Sequence, residues 1–122
     1  MASTHRAMWD RYVAAWRADG GAEKRALFEE CLAEDCVYTD PLVRAEGWQA
    51  LEGYMVEFHR QVPGGAFVTE RFISHHDTSI AVWTMVNGAG QPIGDGVSYG
   101  EYDAAGRLVR MTGFFDVPGA NP

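Results

Sequence analysis

The hydrophobic period changes once along this chain, and that change limits the folds open to it. Up to Gln61 apolar residues recur at helical spacing, broken by one short β-prone run. After the breaker Val62-Pro63-Gly64-Gly65 they follow strand patterns. Residues 4–18 carry Met8, Tyr12 and Trp16 at i, i+4 and i+8, widened by Trp9 and Val13, and stop at Asp19-Gly20-Gly21. A second helix over 22–33 puts Leu27, Phe28, Cys31 and Leu32 on one face. Cys36–Thr39 is a short strand closed by Asp40-Pro41, where proline holds Asp40 extended. A third helix runs from about Gly47 to Gln61, with Trp48, Leu51, Met55 and Phe58 as its apolar face. Strands follow at 66–76, 79–87, 92–102 and 107–117. The predicted order is α-α-β-α-β-β-β-β. Helices first and consecutive strands later make an α+β fold, with a curved antiparallel sheet wrapped around the helices. No repeat, linker or low-complexity tract divides the chain, so residues 1–122 read as one domain.

Charge narrows the partners. The chain has 17 acidic and 10 basic residues, a formal charge of −7 and a pI near 4.9. That balance argues against a nucleic-acid partner and against an anionic membrane surface. No apolar run approaches the ~20 residues of a membrane span. The first twenty residues are charged throughout, unlike a signal peptide. Cys31 and Cys36 do not form a C-x-x-C motif and read as two buried free thiols. A reducing cytoplasm is the predicted location.

Few residues offer chemistry. Asp40 ends an apolar strand with Leu42 and Val43 beyond it, where desolvation would favour a general base, although Asp-Pro is also a common turn pair. Tyr12 lies on an apolar helix face, and a buried phenol needs a partner. His75 and His76 close a strand, and at most one of them faces inward. Neither they nor His5 and His59 have the spacing of a metal set. Asp116 follows Phe115, so alternation points it away if Phe115 points in. No phosphate loop and no nucleophile elbow is present.

Three blocks carry a family resemblance. They are Arg11-Tyr12-Val13-Ala14-Ala15-Trp16, then Leu32 to Pro41 with Gly47 beyond it, and Gly106-Arg107-Leu108-Val109-Arg110-Met111-Thr112-Gly113-Phe114-Phe115-Asp116. Over roughly residues 5–117 the chain resembles the nuclear transport factor 2-like superfamily, in its ketosteroid isomerase-like and SnoaL-like polyketide cyclase branch. The resemblance implies a cone enclosing one deep apolar pocket. It implies Asp40 as general base and Tyr12 as oxyanion donor. The second donor of the isomerases is an aspartic acid kept neutral by its apolar site, and its position holds Ser98 here. The same register implies an inward set: Trp16, Tyr54, His76, Trp83, Met85, Gly100, Met111, Gly113 and Phe115. Alternation supports the pairs 83/85 and 98/100 and the run 111/113/115.

The implied activity is proton transfer next to a carbonyl, without a cofactor or metal, on an apolar small molecule. Double-bond isomerisation and polyketide cyclase-like aldol closure both fit. The alternative is a non-catalytic apolar-ligand-binding or protein-interaction module of the same fold. An epoxide hydrolase site of this superfamily would need a last aspartate where Gly113 stands, and Ile80–Val86 supplies neither Arg nor Asp. The family also implies a homodimer through the sheet face, with Arg71, Ile73, Val82 and Tyr99 outward.

Overall fold

The computed structural model describes residues 2–117. Helices α1 (Ala2–Arg17) and α2 (Gly21–Cys31) come first, then β1 (Leu32–Asp40), β2 (Val43–Glu46) and α3 (Gly47–Gln61). Four strands finish the chain: β3 (Ala66–His75), β4 (Thr78–Val86), β5 (Pro92–Tyr102) and β6 (Leu108–Phe114). The predicted order stands, with β2 as an addition. That strand of four residues folds back on β1, pairing Asp40 with Val43 and Val37 with Glu46. Its pattern is too short for period 2 to show in sequence. The first strand also starts at Leu32, earlier than the β-prone run at Cys36 suggests.

All six strands join one sheet in the order β2-β1-β6-β5-β4-β3. Pairing is antiparallel except between β1 and β6, which run parallel because the chain crosses the sheet between them. Register shifts at Thr69/Arg71, Met85/Val86 and Glu101/Tyr102 mark bulges, which bend strands and raise their twist. The long strands therefore curl around α1 and α3 instead of stacking flat. The buried core joins Trp9, Tyr12, Ala15 and Trp16 of α1 to Phe28 and Cys31 of α2. Leu51 and Met55 of α3, and Leu32, Cys36, Tyr38, Ala45, Ala81, Tyr102, Leu108 and Met111 of the sheet, complete it.

A buried lysine ties α2 to the end of α1. Lys24 has no exposed surface, and its Nζ donates to the carbonyls of Ala15 at 2.9 Å and Ala18 at 2.6 Å. Ala15 is in the last turn of α1 and Ala18 is the residue just after it, where helix-end carbonyls lack helical partners. Burial pulls the Lys24 pKa below its usual range, and the nearby acids Asp19, Glu23 and Glu52 oppose that pull. Cys31 and Cys36 are buried and unbridged. No helix is long and apolar enough to cross a membrane among the described residues.

Candidate active site

The open end of the curled sheet holds a cavity of about 570 Å³ between α1, α3 and β3–β6. Asp40 reaches it from the last position of β1. Its two oxygens do different work. Oδ1 accepts the backbone N–H groups of Leu42 at 2.8 Å and Val43 at 3.1 Å, closing the Pro41-Leu42 turn. Oδ2 faces the cavity and accepts the hydroxyls of Tyr38 at 2.5 Å and Tyr54 at 2.8 Å. The turn reading of this aspartate is seen at Oδ1, and Oδ2 is the oxygen open to the cavity. An ionised carboxylate has about four lone-pair sites, and four donors occupy them here. The surroundings of Asp40 are therefore donors more than apolar walls.

Two phenols bond this carboxylate, and a third lines the same cavity. Tyr38 stands two residues before Asp40 on the same face of β1, and Tyr54 comes from the half-buried side of α3. Tyr12 is 3% exposed on α1. Burial pushes the pKa of each well above the usual phenol value, and the negative charge of Asp40 pushes it the same way. All three are thus neutral donors at neutral pH. The Trp16 ring meets the Tyr12 ring edge-on at 6.5 Å. The Tyr12 hydrogen has no acceptor among the described residues, and the residue lines the cavity.

Ser98 enters from β5, where it pairs with Ala81 and Gly113. Trp83 Nε1 donates to Ser98 Oγ at 2.9 Å, which leaves the serine hydrogen free to turn elsewhere. Gly113 marks the common ground of these groups. A Cβ there would lie 3.5 Å from Asp40 Cβ, 3.6 Å from the Tyr38 hydroxyl and 3.8 Å from Ser98 Oγ. Gly96 serves the same wall differently. A Cβ at that position would run into the Trp83 indole and the Phe114 carbonyl, so the missing side chain is what lets Trp83 lie flat on the sheet.

The walls are aromatic. Trp16 sits at the hub, with ring centroids 5.7 Å from Tyr38, 5.9 Å from Tyr54, 5.6 Å from Phe58 and 5.4 Å from Phe67. Phe67 meets Trp83 edge-on at 5.1 Å, and Trp83 meets Phe115 at 6.2 Å.

The structure gathers Asp40, Tyr12, Ser98, Trp16, Tyr54, Trp83, Met85, Gly113 and Phe115 on this one cavity. It does not bring Gly100, Met111 or His76 there. Gly100 and Met111 face inward as alternation requires, but at the closed end of the cone. A Cβ at Gly100 would press on Leu108, Ser79 and Trp9, and Met111 is 1% exposed in the core. Alternation reports which face a side chain takes, not how deep along the strand the cavity extends. His76 is exposed in the β3–β4 turn with a left-handed φ of 51°. Strand alternation ends at His75, so the inward expectation for His76 fails, and its Nδ1 sits 3.1 Å from Nδ1 of His75. Asp116 is a correction of the opposite kind. It lines the cavity, because β6 ends at Phe114 and period 2 no longer governs the residues after it.

Tyr38, Phe58 and Phe67 also line the cavity and lie outside the predicted set. Tyr38 carries a signal, since residues i and i−2 of a strand share a face. Among the described residues no group of three or more His, Cys, Asp or Glu is placed to hold a metal ion.

The SnoaL-like domain model matches residues 9–113. The chain belongs to the SnoaL-like family. No curated protein matches this SnoaL-like chain. Among solved structures, a provisionally assigned isomerase of the SnoaL-like family from Agrobacterium tumefaciens C58 is 25% identical, covers 94% of this chain and 99% of its own, and superposes with a TM-score of 0.86. A provisionally assigned SnoaL-like polyketide cyclase from Jannaschia sp. CCS1 is 16% identical, with coverages of 99% and 95% and a TM-score of 0.77. A de novo designed protein with a curved β-sheet reaches a TM-score of 0.74 at 10% identity, covering 95% of this chain and 88% of its own. The fold is thus open to sequences with nothing else in common, and function has to be argued from the site.

Proposed function

We propose that this SnoaL-like protein is a cofactor-independent enzyme that moves a proton next to a carbonyl in a flat, unsaturated substrate. One observation carries the reading. A single carboxylate oxygen, Asp40 Oδ2, faces an aromatic cavity in the company of neutral phenols. In the forward step Oδ2 takes a proton from the carbon beside the carbonyl. The C–H electron pair moves into the new C=C bond, and the carbonyl π pair moves onto oxygen. Tyr12, whose hydrogen has no acceptor among the described residues, donates to that oxygen, and Ser98 assists. Asp40 then returns the proton at a conjugated carbon, giving isomerisation. If the enolate instead attacks a second carbonyl, the result is aldol closure. For Oδ2 to receive a proton, one tyrosine hydroxyl has to leave it. Tyr54 is the freer of the two, being on a helix and only half-buried. The likeness to an isomerase at 25% identity supports this class of chemistry.

The full engagement of Asp40 favours a second reading, a module that binds such ligands without turning them over. Hydrogen–deuterium exchange decides between the two. A planar cyclic enone incubated in D₂O with the protein should gain deuterium beside its carbonyl far faster than in buffer. Binding without exchange would establish the module and remove the enzyme.

The outer sheet face fits a second copy of the chain. Ile73 pairs with Ile80, and Val82 pairs with Val97, which pairs with Phe114. Ile73, Ile80, Val82 and Phe114 are 48%, 39%, 37% and 59% exposed, a contiguous apolar patch of the kind that marks an interface. Sedimentation at micromolar concentration should show a dimer, and Val82→Glu should convert it to a monomer. A wild-type monomer would exclude this assembly.

A further inference from the structure

The oxygen assigned to proton transfer is covered in this structure. Asp40 Oδ2 accepts the hydroxyls of Tyr38 at 2.5 Å and Tyr54 at 2.8 Å, while Oδ1 is held by the Leu42 and Val43 amides. A carboxylate oxygen has two lone-pair sites, so Oδ2 has none left for a proton. One phenol has to move first, and their settings differ.

Tyr38 is the fixed donor. It stands on β1, paired with Ala45 of β2 on one side and with Met111 of β6 on the other. It is 7% exposed, and its ring packs 5.7 Å from Trp16. Tyr54 is the mobile donor. It comes from α3, is half-buried and lines the cavity, with its ring edge-on to Trp16 at 5.9 Å. A turn about its side-chain bonds swings the hydroxyl without disturbing a strand.

The substrate oxygen, in turn, is short of a donor. Ser98 Oγ is already engaged by Trp83 Nε1 at 2.9 Å, and its hydroxyl is shorter and less acidic than a neutral carboxyl group. A carbonyl oxygen accepts two hydrogen bonds, so beside Tyr12 it has room for a second phenol.

We propose that Tyr54 is the gate of this site: its hydroxyl covers Asp40 Oδ2 until a substrate carbonyl arrives, then passes to the carbonyl oxygen and stabilises the enolate there. Tyr38 stays on Oδ2 throughout. The inference rests on the proton-transfer reading of the cavity and adds how its base is released. One motion uncovers the base and completes the oxyanion site. The base therefore acts only beside a ligand that brings an oxygen for Tyr54.

Two reactions with different demands test it. Deuterium exchange of a planar cyclic enone needs both the base and the donors to oxygen. Ring opening of 5-nitrobenzisoxazole needs the base alone. Oδ2 takes the ring C–H proton, the C–H pair enters the new C≡N bond, and the N–O bond breaks to leave a phenolate whose charge the nitro group spreads. In Tyr54→Phe, which keeps the ring against Trp16, exchange should fall by about tenfold or more while ring opening rises several-fold. Tyr54→Leu should show the same opposite signs. Tyr38→Phe strips a donor from the same oxygen but leaves the gate, so both rates should rise together. The carbonyl stretch of the bound enone should move to higher frequency in Tyr54→Phe, because one donor is lost. Exchange and ring opening moving together in the Tyr54 variants, an equal fall of exchange in Tyr38→Phe, or an unchanged carbonyl stretch each overturns the gate while leaving Asp40 as the base. A wild-type protein that binds the enone without exchanging it overturns the proton-transfer reading, and this inference with it.

Discussion

Asp40→Asn should lower turnover of a planar enone by roughly 10²–10⁴-fold, the usual contribution of a general base. It should leave the affinity for a planar phenolic analogue within a few-fold. The two halves of this expectation come from the two oxygens of Asp40. An asparagine can keep its carbonyl oxygen on the Leu42 and Val43 amides, so the turn survives. Its amide nitrogen then faces the hydroxyls of Tyr38 and Tyr54, which accept in place of donating. Shape and volume are conserved, so the aromatic walls stay where they are, while the only carboxylate oxygen facing those phenols is gone. Turnover measured alongside tryptophan quenching by the phenol separates the two effects. Unchanged turnover would remove Asp40 from the chemistry, and parallel loss of turnover and binding would make it a structural residue.

Stability should collapse on the alkaline side. Burial pushes the Tyr12 and Tyr38 phenols far above their usual value and the Tyr102 phenol to about 12. The Cys31 and Cys36 thiols rise to about 12 and about 11 for the same reason. These groups are neutral when protonated, and the fold holds their protons where the unfolded chain releases them. Their contribution is therefore intact below the unfolded values, near pH 9 for thiols and 10 for phenols. It is lost as pH climbs through the folded values. Between pH 10 and about 12 the three buried phenols alone cost about 4 kcal/mol of stability per pH unit. A domain of this size has about 5–15 kcal/mol to lose. Unfolding should follow within roughly one to four pH units above pH 10, with phenolate absorbance rising together with the loss of ellipticity. Buried tyrosines that ionise near their ordinary phenol value in a folded protein would contradict this.

Helix faces and the strand period were legible because burial repeats along them. The face of Trp83 and Met85 on β4, of Ser98 on β5 and of Gly113 on β6 followed from a step of two residues. What failed lay where the step no longer applies. His76 sits in a left-handed turn, and Asp116 lies beyond the end of its strand. Gly100 and Met111 obeyed the step but fell on the closed side of the cone, where α1 brings Trp9 down onto the sheet. Depth along a strand is set by which helix covers it, and no local pattern records that.

The sequence by itself determined the α+β order, the SnoaL-like resemblance and the candidate acid in front of Pro41. These depend on period, turn chemistry and motif, all of which are local. The tertiary structure alone decided the state of that acid. Tyr54 lies fourteen residues away on another element, and its hydroxyl reaches Oδ2 only because β1 and α3 pack together. It also decided which side chains share the cavity, since they come from α1, β1, α3, β3 to β6 and the segment after β6. Residues so far apart in the chain come to line one space only when the sheet curls around the helices.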